Sequence, residues 1–368
     1  MTKLWPIYSE ECIADCTKLI RSGRTYYSTE DEEVALFEKL FLETLTNHRF
    51  SIFANSATSI AYAIYLYLRN NRPISDAPNM VVPAHTYRAS VLPLLPLGIR
   101  PYFYDQKQIG KINAQVIEQL VDENTIGILV THLFGVALDL TQIYGISRDL
   151  DIPLIEDCSH AHGVSVGDWK PGDGAFAAFF STGTKKIISG GMGGMLCTSS
   201  VDLYHQALAT TQPPLWARKK ALNSDIFYYG SGFNMRGTPI SARLARDHLE
   251  RIEEIILIKN KCLSIVKKAV RNNTNLELIE SSTEQQGTYY NLPFYIKSDI
   301  ENTLKKYRIN NLRCKRYQEY LPAHPIFRDE LLCTDGYNHE GLCYFDTRDM
   351  YESTNAAEAY AEALDSKT

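Results

Sequence analysis

One segment of the chain places acidic and imidazole groups close together. Residues 155–163 read Ile-Glu-Asp-Cys-Ser-His-Ala-His-Gly and follow a predicted strand. A carboxylate such as that of Asp157 can hold a cationic ring nitrogen, orient a histidine, or bind a metal together with His160 and His162. The ordinary alternative is that Asp157 is the N-cap of a helix that begins after the strand.

A second segment carries two adjacent lysines. Residues 179–186 read Phe-Phe-Ser-Thr-Gly-Thr-Lys-Lys and follow the next predicted strand. A lysine attacks carbonyl groups once burial or a neighbouring cation lowers its pKa, and Lys185 and Lys186 each provide that cation for the other. The alternative is a pair of solvated lysines before a Gly-rich turn.

Residues 189–194 match neither the P-loop nor the dinucleotide-binding fingerprint, and they predict a tight hairpin.

Two further segments offer an anion site and an aromatic face. Residues 55–59 read Asn-Ser-Ala-Thr-Ser and open a predicted helix, whose first N–H groups and dipole favour an anion. These hydroxyl groups can equally be simple helix caps. Residues 83–87 end in Tyr87, which can stack on a planar ring or fill the core.

The four segments together predict a site for pyridoxal phosphate. That cofactor needs an anion site, an aromatic face, a carboxylate for its ring nitrogen and a lysine for its aldehyde. Each segment has an ordinary explanation by itself. Their occurrence together, with the lysines following the carboxylate along the chain, favours the cofactor.

Alternating strands and helices must position these groups. Up to about residue 200, β-branched or aromatic runs alternate with helical stretches, which is typical of a parallel sheet covered by helices on both faces. We predict strands at 79–83, 101–104, 126–132, 153–157, 175–180 and 194–198. We predict helices at 34–45, 59–69, 114–121, 139–149 and 201–210. Ligands of such α/β folds bind at the carboxyl ends of the strands, where the four segments lie.

The remainder of the chain predicts a smaller domain. Residues 240–271 have helical periodicity over a run too long for one straight helix, and they are expected to bridge two domains. Strands at 276–280 and 288–296 and helices at 299–306 and 356–364 then indicate an α+β unit. The predicted division is a large cofactor-binding domain over 1–240 and a bridging helix with a small C-terminal α+β domain over 241–368. Aromatic residues at 211–229 are expected to line either the substrate site or the core.

Composition excludes several classes of function. The 368 residues carry 38 basic and 43 acidic side chains, a formal net charge of −5, which argues against a nucleic-acid partner. No apolar run has the length of a membrane span, and the N-terminus lacks the features of a signal peptide, so a cytoplasmic location is expected. The eight cysteines form no C-x-x-C pair, and Cys12 and Cys16 lack further ligands, so no metal is expected.

At its chemical motifs the sequence resembles the DegT/DnrJ/StrS family of pyridoxal phosphate-dependent sugar aminotransferases, a branch of the fold type I enzymes. Residues 156–163 are similar to the family's E-D-x-A-[QH]-A-H-G. Residues 180–194 are similar to its Phe-Ser…Lys…Gly-x-Gly-Gly stretch, and residues 233–236 to its [YF]-N-x-R. The resemblance implies a mostly parallel seven-stranded sheet between helices and a small C-terminal α+β domain.

The resemblance also implies roles for single residues. The family's lysine lies five residues after a phosphate-binding serine and seven before a Gly-Gly pair, and both counts, from Ser181 and from Gly193, lead to Lys186. By the same matching, Asp157 pairs with the pyridine nitrogen, His160 lies near the 3-hydroxyl and Tyr87 lies on the ring face. The phosphate is held by Ala57, Thr58 and Ser181, and Asn234 reaches the phosphate of a neighbouring subunit. The candidates for substrate contact are Arg236 and Lys185. Asn234 thereby implies a homodimer with shared active sites.

The implied reaction moves an amino group from L-glutamate or L-glutamine to a keto-sugar, expected to be a nucleotide-linked keto-deoxysugar. Two alternatives stay open. One is a dehydratase of the same fold, which in the family goes with loss of the lysine. The other is a catalytically silent regulatory or partner protein, suggested by departures from the family pattern at Ala57, Thr182 and Met192. A cyclitol in place of the sugar is a further possibility for the acceptor.

Overall fold

The computed structural model describes residues 5–26, 32–72, 76–106, 109–213, 232–281, 285–309, 312–327, 339, 341–348, 350–351 and 355–365. Most of the aromatic segment at 211–229 lies outside these residues. The described helices are α1 (Glu10–Arg21), α2 (Glu32–Leu45), α3 (Ala57–Asn71), α4 (Ala114–Leu120), α5 (Thr141–Asp149), α6 (Val201–Thr211), α7 (Pro239–Glu250), α8 (Ile252–Asn272), α9 (Ile300–Ile309) and α10 (Asn355–Asp365).

The strands form one large sheet, one small sheet and a short two-stranded pair. They are β1 (Phe50–Ala54), β2 (Asn79–Pro83), β3 (Arg100–Tyr104), β4 (Thr125–Thr131), β5 (Leu154–Asp157), β6 (Ser165–Val166), β7 (Ala177–Ser181), β8 (Gly194–Thr198), β9 (Leu276–Leu278), β10 (Gln285–Gln286), β11 (Asn291–Ile296), β12 (Cys314–Arg316) and β13 (Leu342–Asp346). The pair joins β6 and β10.

The large sheet has seven strands in the order β1-β8-β7-β5-β4-β2-β3. Its members β2, β3, β4, β5 and β7 run parallel, whereas β8 is antiparallel to both of its neighbours. The predicted strands are confirmed to within two residues at each end. The edge strand β1 was not predicted, because its only partner, β8, is distant in sequence and its five residues show no strand-like alternation.

The connection between β7 and β8 corrects one prediction. Residues 189–194 were predicted to form a tight hairpin, and β7 and β8 are indeed antiparallel neighbours. The connection between them is nevertheless wide, because it spans residues 182–193 and includes both lysines. Its two ends are joined by a hydrogen bond from the Thr182 N–H to the Gly193 carbonyl at 3.0 Å. The lysines therefore lie beyond the carboxyl end of a buried strand.

Helices cover both faces of the large sheet. On one face α3 and α6 pack against β1, β7 and β8. On the other, α2 and α7 contribute Phe37, Phe41 and Ala245 to a core with Phe53 and Phe180. Because the strands are buried on both faces, the chemical groups must lie at their ends.

The C-terminal part forms a second core. Its sheet is antiparallel in the order β12-β13-β11-β9, and α8 and α10 pack together beside it. The predicted helical run at 240–271 is two helices, α7 and α8, which meet at Arg251, whose backbone departs from helical geometry. The predicted boundary at 240/241 falls in the first turn of α7. Among the described residues, no helix combines the length and the apolar character that a bilayer crossing requires.

Candidate active site

A cavity of about 590 Å³ lies where the large sheet meets the small one. Strands β5 and β7 end side by side at its wall, because they are parallel neighbours in the sheet. The residues predicted for the site that line this cavity are Ala57, Thr58, Tyr87, Asp157, His160, Ser181, Lys185 and Lys186. The four segments of the sequence therefore converge on one space.

The N-terminus of α3 forms one end of the cavity. The Ser56 hydroxyl caps the helix by accepting from the Ser59 N–H at 3.1 Å. Ala57 and Thr58 occupy the first helical positions, where N–H groups lack partners within the helix. Gly194 packs so closely beneath this turn that a Cβ there would lie 2.2 Å from the Ala57 nitrogen. This turn is therefore shaped for an anion, as are helix N-termini that bind phosphate.

Asp157 is a buried carboxylate with two donors. Its Oδ2 accepts from the Ser90 hydroxyl at 2.6 Å, and its Oδ1 accepts from the Ser159 N–H at 2.9 Å. The alternative that Asp157 caps an α-helix is wrong, because the residues after it form turns and the short strand β6. Both hydrogen bonds orient the carboxylate at the end of β5, where it can meet a cationic partner in the cavity.

The two lysines differ in environment. Lys185 is exposed, whereas Lys186 is partly buried, and its Nζ lies 4.5 Å from the centre of the Tyr290 ring. The pKa of Lys186 is lowered to about 8, chiefly by burial; the Asp157 charge opposes this effect, and the Lys185 charge adds to it. At pH 7 about one amine in ten is then neutral, against roughly one in three thousand for an ordinary lysine. Lys186 is therefore the better nucleophile of the pair.

This environment predicts a pH dependence. The reaction of cofactor-free protein with pyridoxal phosphate should accelerate about tenfold per pH unit below pH 8 and level off above it. In Lys185→Ala the midpoint should move to higher pH, because removing the neighbouring charge raises the pKa of Lys186. Stopped-flow absorbance across pH 6 to about 10 measures both. A midpoint that stays fixed or falls in the variant would contradict the assigned environment.

His160 is held as a neutral imidazole. Its Nδ1 accepts from the Phe134 N–H at 3.1 Å, and its ring stacks on Tyr290 with a centroid distance of 4.4 Å. Burial and the nearby Lys186 charge lower the pKa of His160 well below its ordinary value. Because Nδ1 is an acceptor, the remaining proton lies on Nε2, which is then a donor. His162 does not line the cavity and is buried against Phe180.

Asn234 and Arg236 do not line the cavity of the single chain. Asn234 is exposed, and its Oδ1 accepts from the Arg236 Nε at 2.8 Å. Arg236 also forms an isolated bridge with Ala54, at the end of β1. The role of these residues toward a neighbouring subunit stays a prediction.

Several lining residues were missed by the sequence analysis. Ser90, which bonds to Asp157, lies in a short 3₁₀ turn after Tyr87 and carries no recognisable spacing. The others come from the small-sheet side or from the turn after β4, and they include Phe134, Tyr290, Arg316, Tyr317 and Tyr344. Tyr290 lies immediately before β11, so its position at a strand end was its signal, whereas Tyr344 lies in the middle of β13 and had none.

The residues present fit pyridoxal phosphate. The cavity has the size of a small-molecule site. Its lining combines the N-terminus of α3 and Ser181 for a phosphate, the buried Asp157 carboxylate for a ring nitrogen, and the Lys186 amine for an aldehyde. Tyr87, 55% exposed, leaves an aromatic face accessible beside them. These are the four features that the cofactor requires.

Behind the cavity, Glu156 joins three buried donors. Its carboxylate accepts from the Tyr144 hydroxyl at 2.5 Å, the Gly172 N–H at 2.6 Å and His132 Nε2 at 3.0 Å. His132 donates through Nε2, because its Nδ1 accepts from the Leu138 N–H. Glu156 therefore fixes the strand that presents Asp157 and is a structural residue.

Glu156→Ala should reduce the free energy of unfolding by about 3–5 kcal/mol, because three buried donors lose their acceptor. Urea denaturation followed by circular dichroism measures this change. The matched control is Glu118→Ala, at an exposed position of α4, which should change stability by no more than about 0.5 kcal/mol. Equal effects of the two substitutions would contradict the role of Glu156.

Comparisons with known proteins agree with this geometry. A family model described as the DegT/DnrJ/EryC1/StrS aminotransferase family matches residues 6–335. GDP-perosamine synthase of Escherichia coli O157:H7 is 25% identical over 303 residues, covering 82% of this chain and 80% of that protein. L-Glutamine:2-deoxy-scyllo-inosose aminotransferase of Streptomyces fradiae is 25% identical over 206 residues, covering 55% of this chain and 48% of that protein.

A solved structure shows the same fold. The E. coli GDP-4-keto-6-deoxy-D-mannose-3-dehydratase with bound hydrated PLP superposes with a TM-score of 0.86 at 17% identity, covering 99% of this chain and 100% of that one. This likeness confirms the predicted fold type I architecture, with its large and small sheets.

Proposed function

Because the chain belongs to the DegT/DnrJ/EryC1/StrS aminotransferase family and uses pyridoxal phosphate, we propose that it moves an amino group from L-glutamate or L-glutamine to the ketone of a nucleotide-linked deoxysugar. The observation that carries this proposal is the environment of Lys186. A partly buried lysine of lowered pKa lies in one cavity with the Asp157 carboxylate and the neutral His160.

We assign the binding residues as follows. The first turn of α3, with Ala57 and Thr58, and the Ser181 hydroxyl bind the phosphate group. Asp157 holds the proton of the pyridine nitrogen, and the Ser90 hydroxyl orients this carboxylate. His160 donates from Nε2 toward the ring's 3-hydroxyl, and Tyr87 covers the ring face. Bound in this way, pyridoxal phosphate supplies an electron sink for the carbon that bears the amino group.

Lys186 performs the proton transfers. Its amine, neutral in part at pH 7, would take a proton from the carbon of the substrate that bears the amino group and would deliver it to the former aldehyde carbon of the cofactor. The Tyr290 ring beside Nζ limits access of water, so the proton stays on the amine between the two events. Lys185 is too exposed for this role and is assigned to the substrate side of the cavity.

The acceptor side is assigned to the small sheet. Arg316 and Tyr344 line the cavity from β12 and β13, and the cavity is wide enough for more than the cofactor. A nucleotide-linked acceptor is supported by the relation to GDP-perosamine synthase. A cyclitol acceptor is the alternative that the Streptomyces fradiae relative suggests, and that relative's name also supports L-glutamine as donor.

We propose a homodimer with shared active sites. Asn234 and Arg236 are linked to each other on a surface outside the cavity, as expected of residues that serve a second subunit. Sedimentation at micromolar concentration should give a dimer. A monomer that binds the cofactor at full occupancy would contradict the role given to Asn234.

The donor half of the reaction tests the proposed function. Holoenzyme mixed with L-glutamate or L-glutamine, without acceptor, should convert to the pyridoxamine form and release one keto acid per site. Lys186→Ala should not convert, whereas Lys185→Ala should. The pyridoxamine form of the enzyme is then mixed with each of a panel of keto-sugar nucleotides and a keto-cyclitol. The acceptor is the compound that restores the absorbance spectrum of the starting holoenzyme. A protein that dehydrates a keto-sugar and forms no amino sugar would be the dehydratase, and the proposal would be wrong.

A further inference from the structure

A cluster of two histidines and one aspartate lies apart from the cavity. His85 follows β2, Asp105 follows β3, and His339 precedes β13 of the small sheet. All three side chains are at least nine-tenths buried. The cluster therefore joins the ends of two strands of the large sheet to the small sheet.

The three side chains have the geometry of an open ligand set. The Nε2 atoms of His85 and His339 lie 3.7 Å and 3.8 Å from the Asp105 Oδ1. One ligand atom from each residue lies within 4.8 Å of the others. Tetrahedral zinc with bonds of about 2.0–2.1 Å needs ligand atoms roughly 3.3 Å apart, so each of the two histidine–aspartate pairs has to close by about half an ångström.

His85 is a buried histidine whose ring nitrogens make no hydrogen bond in the described part of the chain. The residue is 7% exposed. Its ring lies edge-on to that of His339, with centroids 4.4 Å apart. A buried imidazole without a partner costs free energy, and a metal ion would satisfy its Nε2.

The second ring nitrogen of His339 already has a supporting partner. Its Nδ1 lies 2.6 Å from the Tyr295 hydroxyl. With a proton on Nδ1 donated to that oxygen, Nε2 carries a lone pair that can bind a metal ion, an arrangement typical of metal-bound histidine. In the absence of metal, Nε2 instead donates to the Gln106 carbonyl at 2.8 Å. That carbonyl or a water could complete the coordination.

We propose that His85, Asp105 and His339 bind one divalent transition-metal ion, with zinc as the expected occupant. Two imidazoles and one carboxylate are ligands that zinc, cobalt and nickel prefer, whereas magnesium prefers oxygen ligands alone. The single carboxylate offsets part of the ion's charge in this buried place. The ion would link the small sheet to the large one. Its ligand His85 lies two residues before Tyr87 in the sequence. The proposal does not depend on the reaction that the enzyme catalyses.

Sequence spacing could not reveal this site. No metal was expected from the sequence, because its cysteines form no C-x-x-C pair and Cys12 and Cys16 lack further ligands nearby along the chain. The ligands here are spread from residue 85 to residue 339, and only the packing of the small sheet against the large one brings them together. None of the three belongs to the residues assigned to the cofactor.

Metal content of the holoenzyme tests the proposal. Protein produced with zinc in the medium and dialysed against a weak chelator should retain about one zinc per chain by inductively coupled plasma mass spectrometry. After removal with a strong chelator, Zn²⁺ alone should rebind with the same stoichiometry, and excess Mg²⁺ should not compete. Zinc content below about one tenth per chain, or competition by Mg²⁺, would overturn the proposal.

Variants locate the ion. His85→Asn and His339→Asn, one on each side of the cluster, should each weaken zinc binding by at least about tenfold. The matched control is His324→Asn, a histidine outside the cluster, which should bind zinc as the unmodified protein does. Unchanged pyridoxal phosphate content shows that each variant is folded, and at least one of the two cluster variants must pass this check. Equal zinc binding by a folded cluster variant and the control would overturn the assignment.

Discussion

Lys186→Ala is expected to lower the rate of the half-reaction with L-glutamate by at least about 10⁴-fold, because the residue is both nucleophile and proton carrier. Stability should change little, since the substitution keeps the backbone carbonyl of residue 186, which accepts from Trp5 Nε1 at 2.6 Å. Single-turnover absorbance measures the rate. Lys185→Ala is the matched control, because it removes an adjacent amine that is exposed, and it should stay within about tenfold of the unmodified enzyme. If the two variants exchange these behaviours, the reactive lysine is Lys185.

Asp157→Asn is expected to reduce the same rate by about 10²–10³-fold. An amide has nearly the shape of the carboxylate, and its oxygen can still accept from the Ser159 N–H while its NH2 donates to the Ser90 hydroxyl, but it carries no charge to hold a proton on a pyridine nitrogen. The fold should therefore persist while the chemistry slows. Equilibrium dialysis measures the affinity for the cofactor, and single-turnover absorbance measures the rate. The two measurements separate the effect on cofactor binding from the effect on the chemical step.

Ser90→Ala provides the control for Asp157→Asn. It removes one hydrogen bond to the carboxylate and leaves the charge, so it should cost no more than about tenfold. If Ser90→Ala and Asp157→Asn were equally slow, orientation of the carboxylate and not its charge would be the source of the effect. If neither were slow, Asp157 would not face the ring nitrogen.

The strands that carry the site could be predicted because they are buried on both faces. Such strands appear in the sequence as short apolar runs, and β5 and β7 each end at a polar residue where the ligand binds. Because parallel strands end on the same edge, Asp157 and Ser181 could be placed together without a structure. The order of their motifs along the chain then sufficed to predict the cofactor.

Contacts made across the two sheets could not be predicted in this way. Tyr290 is close to Lys186 in space, but it lies next to the small sheet and follows Lys186 by about a hundred residues. The tautomer of His160 depends on the Phe134 N–H, which donates to Nδ1, and Phe134 adopts a left-handed backbone conformation, with φ of 60°. Neither feature has a signature in local sequence. The small sheet was incompletely predicted for a related reason, since β12 has only three residues.

The central claim is that Lys186 carries the cofactor, and one measurement tests it directly. Holoenzyme is reduced with sodium borohydride, which fixes any covalent link between pyridoxal phosphate and a lysine, and the digested protein is mapped by mass spectrometry. We expect the phosphopyridoxyl group on Lys186, with Lys185 unmodified. The group on Lys185, or no modified peptide from a fully loaded enzyme, would contradict the account.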